Sequence, residues 1–342
     1  MERLENKQVL GVIDATIDCE SLAPLTINRP LASLPFSGRY RLIDFMLSNM
    51  VHAGIDSVGI FAHHIHDSLK GHIGSGKVWD LDRKNGGLFF YTLSEQDKNN
   101  SQILLQRSLQ FFVRAPYQYV IIAPCNVVGR VPILDILRNH KEKMAVVTQV
   151  AYDGESLPIY FMERQHLVSL IEHMDVTKKQ SLLGFVADLV QGVEKNIFVV
   201  PDTLLTINSL VCYYEQSMQL LSLEKWEEIF LSSYPIFTKT KDEPPTKYAP
   251  TAVVKKSVVA NGCLIDGTVR NSLIARGVTV GTGAIVRNSI IMPGVTIGAD
   301  CILDGVIVDK DVTIEPGAAV KRKDESEPRV IPKGVTIHKE WS

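Results

Sequence analysis

The sequence predicts an α/β, Rossmann-like domain followed by a left-handed parallel β-helix built from hexapeptide repeats. Three observations carry this reading. Short apolar runs alternate with amphipathic segments up to about Met218, a proline-punctuated stretch follows, and the apolar period changes to six after Thr251. The expected units are 1–221, a connection over 222–250, and 251–342.

In the first unit, Val9–Ile13, Ser57–Phe61, Tyr119–Ala123 and Ala145–Val150 are short apolar runs that predict buried strands. Asp44–Ala53, Ser101–Phe112 and Ile133–Lys141 carry helical spacing between them. Strands alternating with helices predict a parallel sheet covered on both faces. The connection holds a short helix candidate, Glu224–Phe230, and then Pro235, Pro244, Pro245 and Pro250. In the last unit, Ile285, Ile291, Ile297 and Leu303 recur every sixth residue, and Val308, Ile314 and Val320 continue after a slip of one. Asn261-Gly262, Asp266-Gly267, Pro293-Gly294, Asp304-Gly305 and Pro316-Gly317 supply the turns. Six-residue periodicity with small residues at the corners is the pattern of stacked β-helix coils, whose open ends favour self-association.

Composition excludes several classes. The 342 residues carry 36 Lys+Arg against 38 Asp+Glu, so no chain-wide field favours nucleic acid or an anionic membrane. No apolar run approaches the ~18 to 20 residues of a membrane span, and the charged N-terminal segment lacks a signal core. Cys19, Cys125, Cys212, Cys263 and Cys301 show no C-x-x-C spacing. The expectation is a cytoplasmic protein without a metal site. His63-His-Ile-His66 is the one histidine cluster, and it lacks the carboxylate or cysteine partners a metal would need. Asp80, Asp82 and Arg83 are read as a solvated or interfacial loop, and Lys321–Glu327 as an exposed connection.

The segment Arg29-Pro-Leu-Ala-Ser-Leu-Pro-Phe-Ser-Gly-Arg-Tyr-Arg-Leu-Ile-Asp-Phe-Met-Leu-Ser-Asn49 resembles the stretch after the nucleotide loop of ADP-glucose pyrophosphorylases. Leu47-Ser-Asn49 with His52-Ala-Gly-Ile55, Ser68–Ile73 and Tyr213–Met218 extend the match, and Ser75–Arg83 with Gly87–Phe90 is most similar to the GlgD-type branch. The resemblance covers most of the chain. It implies a nucleotidyltransferase (GT-A-like) fold for the first domain and a role beside a catalytic GlgC-type subunit in glycogen synthesis.

The catalytic positions do not carry over. The family loop reads roughly G-G-x-G-x-R-L-x-x-L-T, whereas Thr16, Ile17 and Cys19 stand at its glycines and Ser21 at its arginine, with Asp18 and Glu20 adding negative charge. Such a loop needs glycines so that backbone N–H groups can approach phosphates, and a cation to offset their charge. The family's two magnesium-holding carboxylates correspond to Cys125 and Thr206, and magnesium prefers hard oxygen ligands. Between Val150 and Pro158 only seven residues intervene, with no equivalent of the family's Phe-x-Glu-Lys-Pro lysine. Arg29, Arg39 and Arg41 belong to a segment that, by the resemblance, helps bind sugar-phosphate effectors, and guanidinium groups suit phosphate.

The leading expectation is therefore a catalytically deficient, regulatory subunit. It would need no cofactor of its own, while its GlgC-type partner would use magnesium in a hetero-oligomer expected to be a tetramer. A sugar-phosphate or nucleotide effector is expected at the arginines. The alternatives are an active glucose-1-phosphate adenylyltransferase with displaced ligands, and a hexapeptide-repeat acyltransferase. The last ranks lowest because no histidine lies between Thr251 and Arg329 to act as base.

Overall fold

The computed structural model describes residues 8–17, 19–63, 67–84, 86–92, 101–173, 181–230, 233–323 and 327–339. Asp18, His64, His66 and the 324–326 part of the charged run lie outside the described residues.

The first domain is built on a seven-stranded sheet in the order Lys195–Val199, Val147–Tyr152, Glu155–Glu163, Tyr119–Pro124, Val9–Asp14, Ser57–Ala62 and Gly87–Thr92. Val9–Asp14 sits inside it because its residues are apolar at both parities. Leu10 and Val12 pack into one cluster with Val120 and Ile122, while Val9 and Ile13 pack on the other face with Ile121 and Ala123. Both faces are thus covered, as the alternation predicts.

The sheet is mixed rather than wholly parallel. Glu155–Glu163 runs antiparallel to both Tyr119–Pro124 and Val147–Tyr152. It enters through a two-residue turn at Asp153-Gly154, both with positive φ (50° and 79°), which is the backbone a tight hairpin needs. Helix Leu42–His52 begins where the Asp44 carboxylate accepts the Arg41 backbone N–H at 2.9 Å, closing its first turn. The helix expected over Ser101–Phe112 is broken into Ser101–Arg107 and Leu109–Arg114. At the break the Ser108 hydroxyl donates to the Leu104 carbonyl at 2.5 Å, competing with the helical ladder.

Helix Leu223–Ile229 precedes an extended stretch whose Ile236 and Phe237 pack on the first domain. Coil pairing starts when Lys247–Tyr248 adds in parallel to Leu264–Ile265. Three parallel sheets of six, five and five strands then form the faces of the left-handed prism. Val269, Val286, Leu303 and Val320 stack in register 17 residues apart, so one coil is three strands of slightly unequal spacing. At one corner the Ser289 and Val306 N–H groups donate to the Ser272 and Ser289 hydroxyls, one coil down. Where coils approach closely, only glycine fits: a Cβ on Gly298 would lie 2.6 Å from the Pro316 nitrogen.

One register expectation is corrected. Ile285 points outward and is 38 % exposed, and its neighbour Val286 fills the interior. Ile291, Ile297, Leu303, Val308, Ile314 and Val320 are buried inward. One face has a second apolar column, Leu273, Ile290 and Ile307, which points out of the prism and into the core of the first domain. That face docks the two domains.

Candidate functional site

Two places on the molecule gather the residues that the sequence singles out. The first is at the carboxyl ends of the central strands, where open α/β sheets bind ligands. Asp14 ends the first strand and is fully buried. Its carboxylate accepts the Thr16 N–H at 2.8 Å, the Thr16 hydroxyl at 2.6 Å and the Leu183 N–H at 3.0 Å. The Thr16 hydroxyl in turn accepts the Leu182 N–H at 3.0 Å, and Ser181 accepts from Gly184 at 3.0 Å. Leu182–Leu189 is a helix, so the leading N–H groups of its positive end are all held by this chain's own oxygens. Burial pushes the Asp14 carboxyl above its ordinary range, opposed by the Thr16 and Leu183 hydrogen bonds.

The rest of the loop is tied down in the same way. Glu20–Leu22 is a 3₁₀ turn in which the Leu22 N–H donates to the Cys19 carbonyl at 3.0 Å. The Cys19 thiol and the Ser21 hydroxyl both donate to the Asn208 carbonyl, at 3.0 and 2.6 Å. Ile17 packs partly buried against the core. Cys125 follows the Tyr119–Pro124 strand, with its N–H on the Asp14 carbonyl at 3.1 Å and no exposed surface. Burial, then the neighbouring Asp14, drives its thiol well above the ordinary cysteine value, so it is neutral at physiological pH. Thr206 pairs with Val127 in a short antiparallel ladder, and its carbonyl accepts from the Cys212 thiol at 3.1 Å.

Thr16, Ile17, Cys19, Ser21, Cys125 and Thr206 are therefore assembled on adjoining elements, at the place where the resemblance implies a nucleotide. Magnesium does not fit them. The donors are a neutral buried thiol, a threonine in a ladder and a carboxylate already accepting three hydrogen bonds. Among the described residues, no three His, Cys, Asp or Glu side chains converge as metal ligands.

The second place is a cleft of about 100 Å³ between the domains. Arg39 and Arg41 come from the first domain with His72, Lys239 and Lys241 from the extended connection, and Arg276 and Lys310 from the β-helix. Arg41 donates from Nη1 to the Ser68 carbonyl at 2.5 Å, and burial lowers its pKa to about 10 despite Asp44. Arg39 lies over the Tyr40 ring at 5.2 Å. Lys239 donates to the Gly71 carbonyl at 2.6 Å. Burial first, then Arg41 and Arg29, bring the Lys310 pKa down to about 8. Beneath the cleft, His72 Nε2 lies 2.6 Å from the buried Asp44 carboxylate, and burial lowers the imidazole pKa. Glu243 faces Arg276 at 3.8 Å. A cleft lined by six cations attracts an anion. Its volume is below the ~300 to 1,000 Å³ of pockets that enclose a whole small molecule, and suits a phosphoryl group.

Arg29 is not in that lining. It is 4 % exposed and pairs with Asp309 of the β-helix, its Nη2 donating to both carboxylate oxygens at 2.7 Å. The sequence reading missed Asp309, Lys239, Lys241, Arg276, Lys310 and His72. Only the Lys-x-Lys spacing of 239–241 offered a local signal.

Residues 19–160 match the nucleotidyl transferase family, and residues 244–337 match the GlmU-like C-terminal hexapeptide family. The glycogen biosynthesis protein GlgD of Geobacillus stearothermophilus is 42 % identical over 286 residues, 82 % of this chain and 83 % of the relative. The chain belongs to the GlgD family. The Bacillus subtilis GlgD protein is also 42 % identical, over 81 % of this chain and 82 % of its own length. The similarity extends to the glucose-1-phosphate adenylyltransferase of Thermosipho africanus, at 29 % identity over 82 % of this chain and 78 % of the relative. GlgD proteins thus stand nearer to this chain than that adenylyltransferase does, and the loop and strand ends described above lie within the nucleotidyl transferase match or beside it.

Proposed function

We propose that this chain acts in glycogen synthesis as a catalytically deficient, regulatory subunit that assembles with a GlgC-type glucose-1-phosphate adenylyltransferase. The partner makes ADP-glucose and pyrophosphate from ATP and glucose 1-phosphate with magnesium, and this chain uses no cofactor. The single observation that carries the reading is the Asp14–Thr16–Leu183 network. Phosphoryl transfer depends on donors and metal ions aimed at the phosphates. Here the Thr16 N–H and the leading N–H groups of the neighbouring helix are aimed at the protein itself.

The regulatory half of the reading rests on the cationic cleft. It draws side chains from both domains and the connection, so an anion bound there contacts all three at once. A phosphoryl group of a sugar phosphate or nucleotide is the ligand its charge and size suit. Arg39 and Arg41 are its first-domain donors, and Arg29 acts on it through Asp309.

A continuous pyrophosphate-release assay on the pure chain, with ATP, glucose 1-phosphate and magnesium, tests the deficiency. Background-level release is expected. Robust magnesium-dependent turnover would favour the alternative, an active adenylyltransferase with displaced ligands.

A further inference from the structure

We infer that Asp309 is a built-in counter-anion that sets the strength of the interdomain cleft for a phosphoryl dianion. The inference rests on the cleft being an anion site. Its own basis is the placement of Arg29, Asp309 and Lys310.

Arg29 carries a full charge in a place that is 4 % exposed. Its field reaches the cleft, because it lowers the proton affinity of both Arg41 and Lys310, which line that cleft. Asp309 cancels it. Both carboxylate oxygens lie 2.7 Å from the Arg29 guanidinium, and one of them also accepts the Lys310 backbone N–H at 2.7 Å. The carboxylate therefore does two things: it neutralises a cation beside the cleft, and it fixes the start of the residue whose ammonium group enters the cleft. The pair adds no net charge, so the attraction of the cleft comes from the groups that line it.

Three variants of the full chain separate an electrostatic role from a structural one. Asp309→Asn keeps an amide oxygen for Arg29 and for the Lys310 N–H, but leaves Arg29 uncancelled. Arg29→Met leaves Asp309 uncancelled. Arg29→Met with Asp309→Asn removes both charges and keeps an acceptor for the Lys310 N–H. The probe is inorganic phosphate, titrated calorimetrically, with glucose 1-phosphate as a second arm that separates free phosphate from a phosphomonoester. One unit charge near a partly solvated site changes anion affinity by about three- to tenfold at low salt. Asp309→Asn is expected to tighten phosphate by that factor, Arg29→Met to weaken it by the same, and the double variant to stay within about twofold of the wild type.

A purely structural role would move both single variants the same way, towards weaker binding. That result overturns the inference, as would a double variant that departs from wild type as far as either single one. If one single variant fails to fold, the sign of the other and the value of the double variant still decide. The failure of the underlying reading looks different: the wild-type chain then shows no phosphate binding that Arg41→Ala removes.

Discussion

The Asp14 carboxylate accepts the Leu183 backbone N–H at 3.0 Å, joining the end of the central strand to the start of a helix that lies 169 residues further along the chain. A helix N-terminus is a place where an anion is stabilised without further help. In this chain the anion is a side chain, held also by both Thr16 donors. Closing the strand end in this way keeps the fold of a nucleotidyl transferase domain while occupying the Thr16 N–H and the leading N–H groups of that helix.

Removing Asp14 therefore exposes a cost in stability and does not create a nucleotide site. Asp14→Ala leaves the Thr16 and Leu183 N–H groups buried without an acceptor, at about 1–3 kcal/mol. Thermal unfolding should shift down by several degrees at ~2–4 °C per kcal/mol. An unchanged melting temperature would mean that these hydrogen bonds are replaced by water at no cost.

Cys125→Asp should not restore catalysis. The new carboxyl would be buried beside Asp14, with Thr206 still at the second metal position and the loop still tied to Asn208. Two carboxyls in one buried site raise each other's proton affinity, so one of them stays neutral. Pyrophosphate release should remain at background, and a gain of more than about tenfold would show that the loop is not the limiting defect.

The β-helix register gives a paired test. Ile297→Asp and Ile314→Asp place a charge inside the coil stack, where both side chains are 1 % exposed, and should cost several kcal/mol. Ile285→Asp lies on the outer surface and should stay within about 1 kcal/mol of wild type in chemical denaturation. Equal effects from the three substitutions would contradict the inward assignment.

Much of the fold is legible in the sequence because apolar periodicity is a local signal. The strands at Val9, Ser57 and Tyr119 appear within a residue of their observed ends, and the coils follow the six-residue period. The error at Ile285 arises because Ile285 and Val286 are both apolar, and the coil repeats after 17 residues rather than 18. The docked face is also readable in retrospect. Leu273-Ile274, Ile290-Ile291 and Ile307-Val308 are double apolar pairs, one member for each core. The hairpin at Asp153-Gly154 carries a standard turn signal. The cleft is a different case. Its cations come from separate stretches around Arg41, Lys239, Arg276 and Lys310, and only the folded chain brings them together.

Phosphate affinity should depend on pH in a defined direction. With its pKa at about 8 in the folded chain, Lys310 is mostly charged at pH 7 and mostly neutral at pH 9. Binding to the cleft should therefore weaken as pH rises through 8, with Lys310→Met abolishing that step while Arg41 stays charged. The ligand-free chain should behave oppositely in stability. Between about 8 and the ordinary lysine value the unfolded chain binds a proton that the folded chain does not, so this group makes stability rise with pH there. Affinity that is flat from pH 7 to 9 would remove Lys310 from the site.

The central claim, that the chain acts on a catalytic partner, is tested most directly by mixing it with a purified GlgC-type adenylyltransferase and following pyrophosphate release. Maximal rate, substrate affinity and phosphoryl-effector response should be measured with and without the chain. A regulatory subunit shifts one state of its partner by a differential free energy of ~1 to 3 kcal/mol, which reads as a ~5- to 150-fold change in affinity. The account predicts a saturable change of that order in at least one parameter, reduced when Arg41→Ala replaces the wild-type chain. Partner kinetics that are identical with and without the chain, at concentrations well above those of the enzyme, would contradict it.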